Sequence, residues 1–168
     1  MKQTPVQKLT RIAMLLALGV LLNYAEVMFL PTAFISPGVK LGIANTVGLI
    51  VLYEYDDQTY FFYGFMRVLM TSLFTGFGFN FLIAMIGWLL ASTSVIGFRR
   101  LNQLSIFGLS MISAVFHGVG QILMVAWLYQ TIWMINYLPV LIISGLLAGL
   151  VVAKLSQQVL LRIAGMPR

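Results

Sequence analysis

Arg67, Thr71 and Thr75 recur every fourth residue inside an apolar stretch, and Ser110, Ser113, His117 and Gln121 repeat the pattern further along. Spacings of three and four put each set on one face of a helix. Asn23 and Glu26, three apart, share another face, while Lys40 and Asn45 flank the start of a further apolar run. Together these side chains offer two cations, one carboxylate, one imidazole and several amides. That is chemistry for holding a polar ligand by charge and hydrogen bonds. Two arrangements are open. Either Glu26 neutralises Arg67 or Lys40, with His117 bonding Gln121 within its own helix, or the whole set faces one cavity and meets an anionic ligand. Arg67 sits deep in its run, where a charge costs about 2.5–3.5 kcal/mol on insertion scales. Some anion must compensate it.

Bond-making chemistry is poorly supplied. The four acidic residues, Glu26, Glu54, Asp56 and Asp57, do not form the paired aspartate-rich motifs that hold a diphosphate through Mg²⁺. One histidine and no cysteine exclude a two-histidine or thiolate zinc site and any disulfide. No Walker A lysine motif or dinucleotide glycine fingerprint occurs. The expectation is a protein that is no enzyme and carries neither metal nor cofactor. Any ATP it depends on is spent by another subunit.

The elements that position these residues follow from composition. With 61% hydrophobic and 8% charged residues over 168 positions, and a mean hydropathy of +0.99, the solvent is lipid. The length fits one domain, residues 1–168, by the usual prior of roughly 100–200 residues. Cutting the apolar runs at charges and at Pro/Gly punctuation predicts six membrane-spanning helices near Thr10–Leu30, Leu41–Tyr53, Thr59–Phe77, Phe79–Phe98, Ser105–Tyr129 and Leu138–Leu160. Most reach the ~20 residues that cross about 30 Å of hydrocarbon. The second is short, so it begins deep or is partly buried.

The net charge of +6 does not point to nucleic acid, because the basic residues scatter at the ends of apolar segments. With six crossings, Lys2, Lys8, Arg11, Arg99, Arg100, Lys154, Arg162 and Arg168 fall on one side and Lys40 on the other. The positive-inside rule then places both termini in the cytoplasm of a multi-pass cell-membrane protein. Trp127, Tyr129, Trp133 and Tyr137 suit an outer interfacial belt. The basic start "MKQTPVQKLTR" leads into an apolar run too long for a signal peptide and without Ala-x-Ala spacing near Leu30, which predicts an uncleaved first helix.

Small residues one turn apart mark where helices approach closely in lipid. They occur at Ala13 and Ala17, at Ala84, Gly87, Ala91 and Ser94, and at Gly145, Gly149 and Ala153. Each seam packs within the bundle or docks another membrane protein. The Ala13/Ala17 face points well away from the Asn23/Glu26 face.

The stretch "SPGVKLGIANTVGLIVLY", with "MRVLMTSLFTG", "SAVFHGVGQILM" and "YLPVLIISGLLAGLVVAKL", resembles the small membrane family labelled heptaprenyl diphosphate synthase component I, also called Gx transporter proteins. The family more often has Asn after the histidine, where this chain has Gly118. The resemblance implies kinship with the substrate-binding S-components of energy-coupling factor (ECF) transporters: six helices, a pocket toward the outside and a capping loop. It further implies that "AMLLA", Ala13 to Ala17, docks a coupling transmembrane subunit with its ATPase subunits. The expected partners are a small-molecule substrate and the lipid membrane. The other implication is an accessory role in polyprenyl diphosphate or menaquinone synthesis. The expected substrate-binding residues are Asn23, Glu26, Lys40, Asn45, Arg67, His117 and Gln121.

Overall fold

The computed structural model describes residues 4–29, 41–101 and 104–164. Lys40 lies outside them. The described chain is all-α: α1 (Pro5–Phe29), α2 (Ile43–Glu54), α3 (Asp57–Thr75), α4 (Phe79–Arg100), α5 (Ile106–Leu128) and α6 (Leu138–Ala164), with a short 3-10 helix, Ile132–Tyr137, leading into α6.

Local chemistry sets these boundaries. Thr4 and Gln7 form a reciprocal capping box, the Thr4 hydroxyl accepting from Gln7 N at 3.3 Å and Gln7 Oε1 accepting from Thr4 N at 3.0 Å. Pro5 then fills the first helical position, where its missing N–H costs nothing. For that reason α1 starts at Pro5 rather than at the expected Thr10. Asp56 caps α3 by accepting from Thr59 N at 2.8 Å, and Ser105 caps α5. The other expected boundaries fall within a few residues of the helices.

Four helices, rather than six, are long and apolar enough to cross a membrane by themselves: Pro5–Glu26 in α1, Phe79–Arg100, Ile106–Leu128 and a stretch within Ile132–Ile163. At 12 residues, α2 reaches only about 18 Å. The 19-residue α3 is long enough, but it carries Arg67, Thr71 and Ser72 in its interior and a polar first turn.

The shorter of the two, α2, is an interior element, whereas α3 leaves Phe62, Leu73 and Phe74 well exposed. The packing partners run α1, α3, α4, α5, α6, α2 and back to α1, and α2 also touches α3. Eight of the twelve α2 residues are buried, from Ala44 to Leu52. The apolar core gathers Val47, Leu49, Val51 and Leu52 from α2 with Tyr60, Tyr63, Val95, Leu109 and Val152. The early expectation of a buried second helix holds. By contrast α1 leaves Leu9, Met14 and Leu21 well exposed, an apolar outer surface of the kind that lipid covers.

The small-residue seams divide in the same way. A Cβ added to Gly120 of α5 would meet Ile86 O at 2.8 Å and Gly87 Cα at 2.9 Å, and one added to Gly149 of α6 would meet Met111 Cα at 2.7 Å. The seams on α4 and α6 are therefore used up in packing against α5. Ala13 and Ala17 on α1 are exposed.

An ion-pair cluster ties the start of α1, the α2–α3 turn and the end of α4. Lys8 Nζ lies 3.0 Å from Asp56, and Asp57 takes Arg99 at 2.7 Å and Arg100 at 3.6 Å. The Thr59 amide and the Lys8 ammonium hold the Asp56 carboxyl well below the usual carboxylate range.

Candidate functional site

Along α3, Arg67 stands ten residues past Asp57, about 15 Å from the ion-pair cluster. There the bundle is hollow. A cavity of about 380 Å³ is lined by side chains from all six helices. Asn23 and Glu26 come from α1, Asn45 from α2, Arg67, Thr71 and Thr75 from α3, and His117 and Gln121 from α5. Six of the seven residues expected at a site thus share one cavity; the seventh, Lys40, lies outside the described residues. The full serine and threonine stripes of α3 and α5 join them, with Ser144 from α6 and Asn80 from α4.

The remaining lining mixes small residues, such as Ala84, Gly118 and Gly145, with the aliphatic Leu41, Leu49, Val68, Leu141 and Val152. Phe, Met and Tyr are abundant in the chain and suit an apolar or aromatic ligand body, yet none is among the described residues lining this cavity. They pack elsewhere or face outward, as Trp127 and Trp133 do beside the 3-10 helix.

Glu26 resolves one of the two arrangements left open by the sequence. Its carboxylate is buried and accepts from Gly42 N at 2.7 Å through Oε1 and from Ile43 N at 3.0 Å through Oε2. Gly42 stands at the start of α2 in the left-handed region, φ 72°, where a residue without Cβ is strongly favoured. It therefore supplies no capping side chain. Glu26 fills that role from α1, with its charge at the positive end of the α2 dipole. Among the described residues no carboxylate lies within 4.0 Å of Arg67. The Glu26–Arg67 neutralisation is absent, because the carboxylate is already used.

Arg67 is left without an anion. Its Nε and Nη1 are buried and find no hydrogen-bond acceptor among the described residues. Gly19 makes room beside it for Tyr63: a Cβ there would collide with the Tyr63 hydroxyl, while Arg67 Cδ, at 3.5 Å, would be in ordinary contact. Gly19, Asn23 and Glu26 occupy one face of α1 at intervals of four and three, which explains why that face turns inward and Ala13 and Ala17 turn outward. Gly87 does the same service on α4, where a Cβ would crowd Gln121 Cγ at 2.8 Å and His117 O at 3.0 Å.

A second, smaller chamber of about 30 Å³ adjoins the first, sharing Asn45, Leu49, Arg67, Ser113 and His117 and adding Tyr60, Gly64, Trp88 and Ser92. Trp88 is 6% exposed, and its indole Nε1–H also lacks an acceptor. Sequence reasoning missed this residue. The available signal was its position, a tryptophan in the middle of an apolar helix and away from the interfacial ends where tryptophan concentrates.

Among the described residues no three of His, Cys, Asp or Glu come together where a metal ion could sit. What the arrangement can do is enclose a small anion and its attached body.

Apolar helices around a polar, cation-bearing cavity define an all-α protein of membrane type with an interior of ligand size. The chain belongs to the family described as heptaprenyl diphosphate synthase component I, whose model matches residues 15–159. No curated protein and no solved structure matches it significantly.

Proposed function

We propose that this chain is a substrate-binding membrane subunit of the S-component type, capturing a small anionic metabolite from outside the cell for an energy-coupling factor transporter. The observation that carries the reading is Arg67, a half-buried residue at the wall of a 380 Å³ cavity, two of whose guanidinium nitrogens are buried without an acceptor among the described residues. Such a charge is costly in an apolar protein, and an anionic ligand removes the cost each time it binds. The volume falls in the range of small-molecule sites, about 300–1,000 Å³.

In this reading Asn23, Asn45, His117 and Gln121 orient the ligand, Glu26 holds the α2 end of the cavity wall, and Lys40 adds charge at the mouth. All six helices lie in the cell membrane, the short α2 being sheltered by the others while α3 turns Phe62, Leu73 and Phe74 outward, and both termini are cytoplasmic. The exposed Ala13/Ala17 face supports docking of a coupling transmembrane subunit and, through it, ATPase subunits, since small residues let helix backbones approach.

The family's description favours a second reading, an accessory subunit for polyprenyl diphosphate synthesis. The two part in experiment. Ala13→Trp with Ala17→Trp is expected to abolish co-purification with ATPase subunits and uptake of the captured molecule, while leaving its binding intact. If uptake and complex formation survive both changes, the transport reading fails. Restoration of prenyl-chain elongation when this chain is added to a catalytic synthase subunit would establish the accessory reading instead.

A further inference from the structure

The small chamber beside Arg67 has a composition of its own. Two residues that line it, Arg67 and Trp88, carry three donor nitrogens, Arg67 Nε, Arg67 Nη1 and Trp88 Nε1, that are buried without acceptors among the described residues. Buried polar groups in folded proteins are paired in the great majority of cases, so three orphans on two residues of one chamber imply a missing partner. All three are donors, which makes the partner an acceptor, and the guanidinium charge makes it an anion. Glu26 does not serve, being committed to the first amides of α2.

Size narrows the anion. A water-sized group needs roughly 10–15 Å³ of such space, so a chamber of about 30 Å³ admits about two. A carboxylate has two oxygens. The three terminal oxygens of a phosphate monoester exceed the space, and a diphosphate exceeds it further. Charge agrees with size, because Arg67 is the one Lys or Arg among the described residues lining either chamber. Gly64 keeps the chamber's wall in place: any Cβ there would collide with Trp88 Nε1.

Resting on the reading of the cavity as a capture site, we propose that the small chamber is a carboxylate subsite. The ligand carries a single carboxylate held by Arg67 and Trp88, and its uncharged body lies in the larger chamber among serines, threonines and small residues. The substrate class is thus a monocarboxylic acid rather than a phosphate or a prenyl diphosphate.

Three tryptophans occur in the chain, so the indole region of a ¹⁵N-tryptophan spectrum is simple and Trp88→Phe assigns one resonance. The protein in nanodiscs, first dialysed until native mass spectrometry shows no retained acid in the titrated sample, is titrated with propanoate, propyl phosphate and propanamide, probes small enough that the body of the ligand does not matter. Propanoate is expected to move the Trp88 indole proton downfield. Propyl phosphate and propanamide are expected to leave it in place, as they should the Trp127 and Trp133 resonances. Arg67→Gln should weaken the propanoate response at least tenfold. Dodecanoate in the nanodisc lipid, run beside propanoate, tells whether the acid comes from the bilayer or from water; a response to either supports the subsite. A Trp88 response to propyl phosphate equal to that with propanoate overturns the proposal, and so does a resonance unmoved by both acids. If the unresponsive protein retained a small molecule in native mass spectrometry before dialysis, only the carboxylate subsite falls. If it retained none, the capture reading falls with it.

Discussion

The ion-pair cluster and the cavity treat the same kinds of charge in opposite ways. Around Asp56 and Asp57, Lys8, Arg99 and Arg100 each find a carboxylate within 4.0 Å, although water could have solvated most of them. In the cavity, where solvation is poorest, Arg67 has no carboxylate and two of its nitrogens have no acceptor. Glu26 is near enough to line the same space, yet it is bonded to backbone. The difference teaches that two residues a sequence reading sets side by side have different uses: Glu26 caps α2, while Arg67 has no carboxylate among the described residues, and in the function proposed above that charge meets a ligand.

That contrast can be broken first at Glu26. Glu26→Ala removes the acceptor of two α2 amides, each costing about 1–3 kcal/mol when buried and unsatisfied. The expected loss is about 3 kcal/mol in chemical or thermal unfolding in detergent, with Glu26→Gln milder because one oxygen remains. A stable Glu26→Ala protein would mean that α2 needs no cap from α1.

Packing of the α4–α5 seam gives the next effect. Gly120→Ala forces a methyl against Ile86 O and Gly87 Cα and is expected to cost about 1–3 kcal/mol. Ala17→Leu on the exposed face of α1 should leave unfolding unchanged. Equal losses at both positions would show that the outward face of α1 is packed after all.

Charge removal at the cluster should matter less. Asp57→Asn loses the Arg99 bridge between half-buried side chains and should cost at most about 1 kcal/mol, the ceiling for exposed pairs. A larger loss there than at Glu26 would reverse the contrast.

The smallest effect is in pH. The fold depresses the Asp56 carboxyl, so its ionised form stabilises the folded state. That contribution is fully present above the ordinary aspartate pKa of about 3.9 and is lost as pH falls below it toward the depressed folded value. Asp56→Asn keeps an oxygen for the α3 cap, so comparison with the wild type isolates the charge. The difference, below about 0.5 kcal/mol for a pair this exposed, should hold at pH 6 and begin to shrink only below about pH 4. A difference that grows on acidification would contradict the depressed pKa.

Much of the cavity was legible because apolar solvent makes every polar residue informative. Periodicity alone put Arg67, Thr71 and Thr75 on one face and Ser110, Ser113, His117 and Gln121 on another, and both faces line the hollow. Partnerships were not legible. Glu26 reaches amides sixteen and seventeen residues away, and no local pattern distinguishes that use from a salt bridge with Arg67. Hydropathy also failed to tell a helix facing lipid from one facing other helices: α2 is apolar because it is the centre of the bundle, and its 12 residues are too few to span a membrane alone. Trp88 escaped notice for a related reason, since its indole reads as apolar bulk until the structure shows its N–H without an acceptor.

Native mass spectrometry of the wild type and Arg67→Gln, released side by side from nanodiscs, tests most directly whether Arg67 is compensated by a captured anion. The account predicts that the wild type retains a small acidic molecule, and that Arg67→Gln, folded and monodisperse because no protein carboxylate loses its partner, retains none. Equal occupancy in the two proteins, or an Arg67→Gln chain that fails to fold, would contradict it.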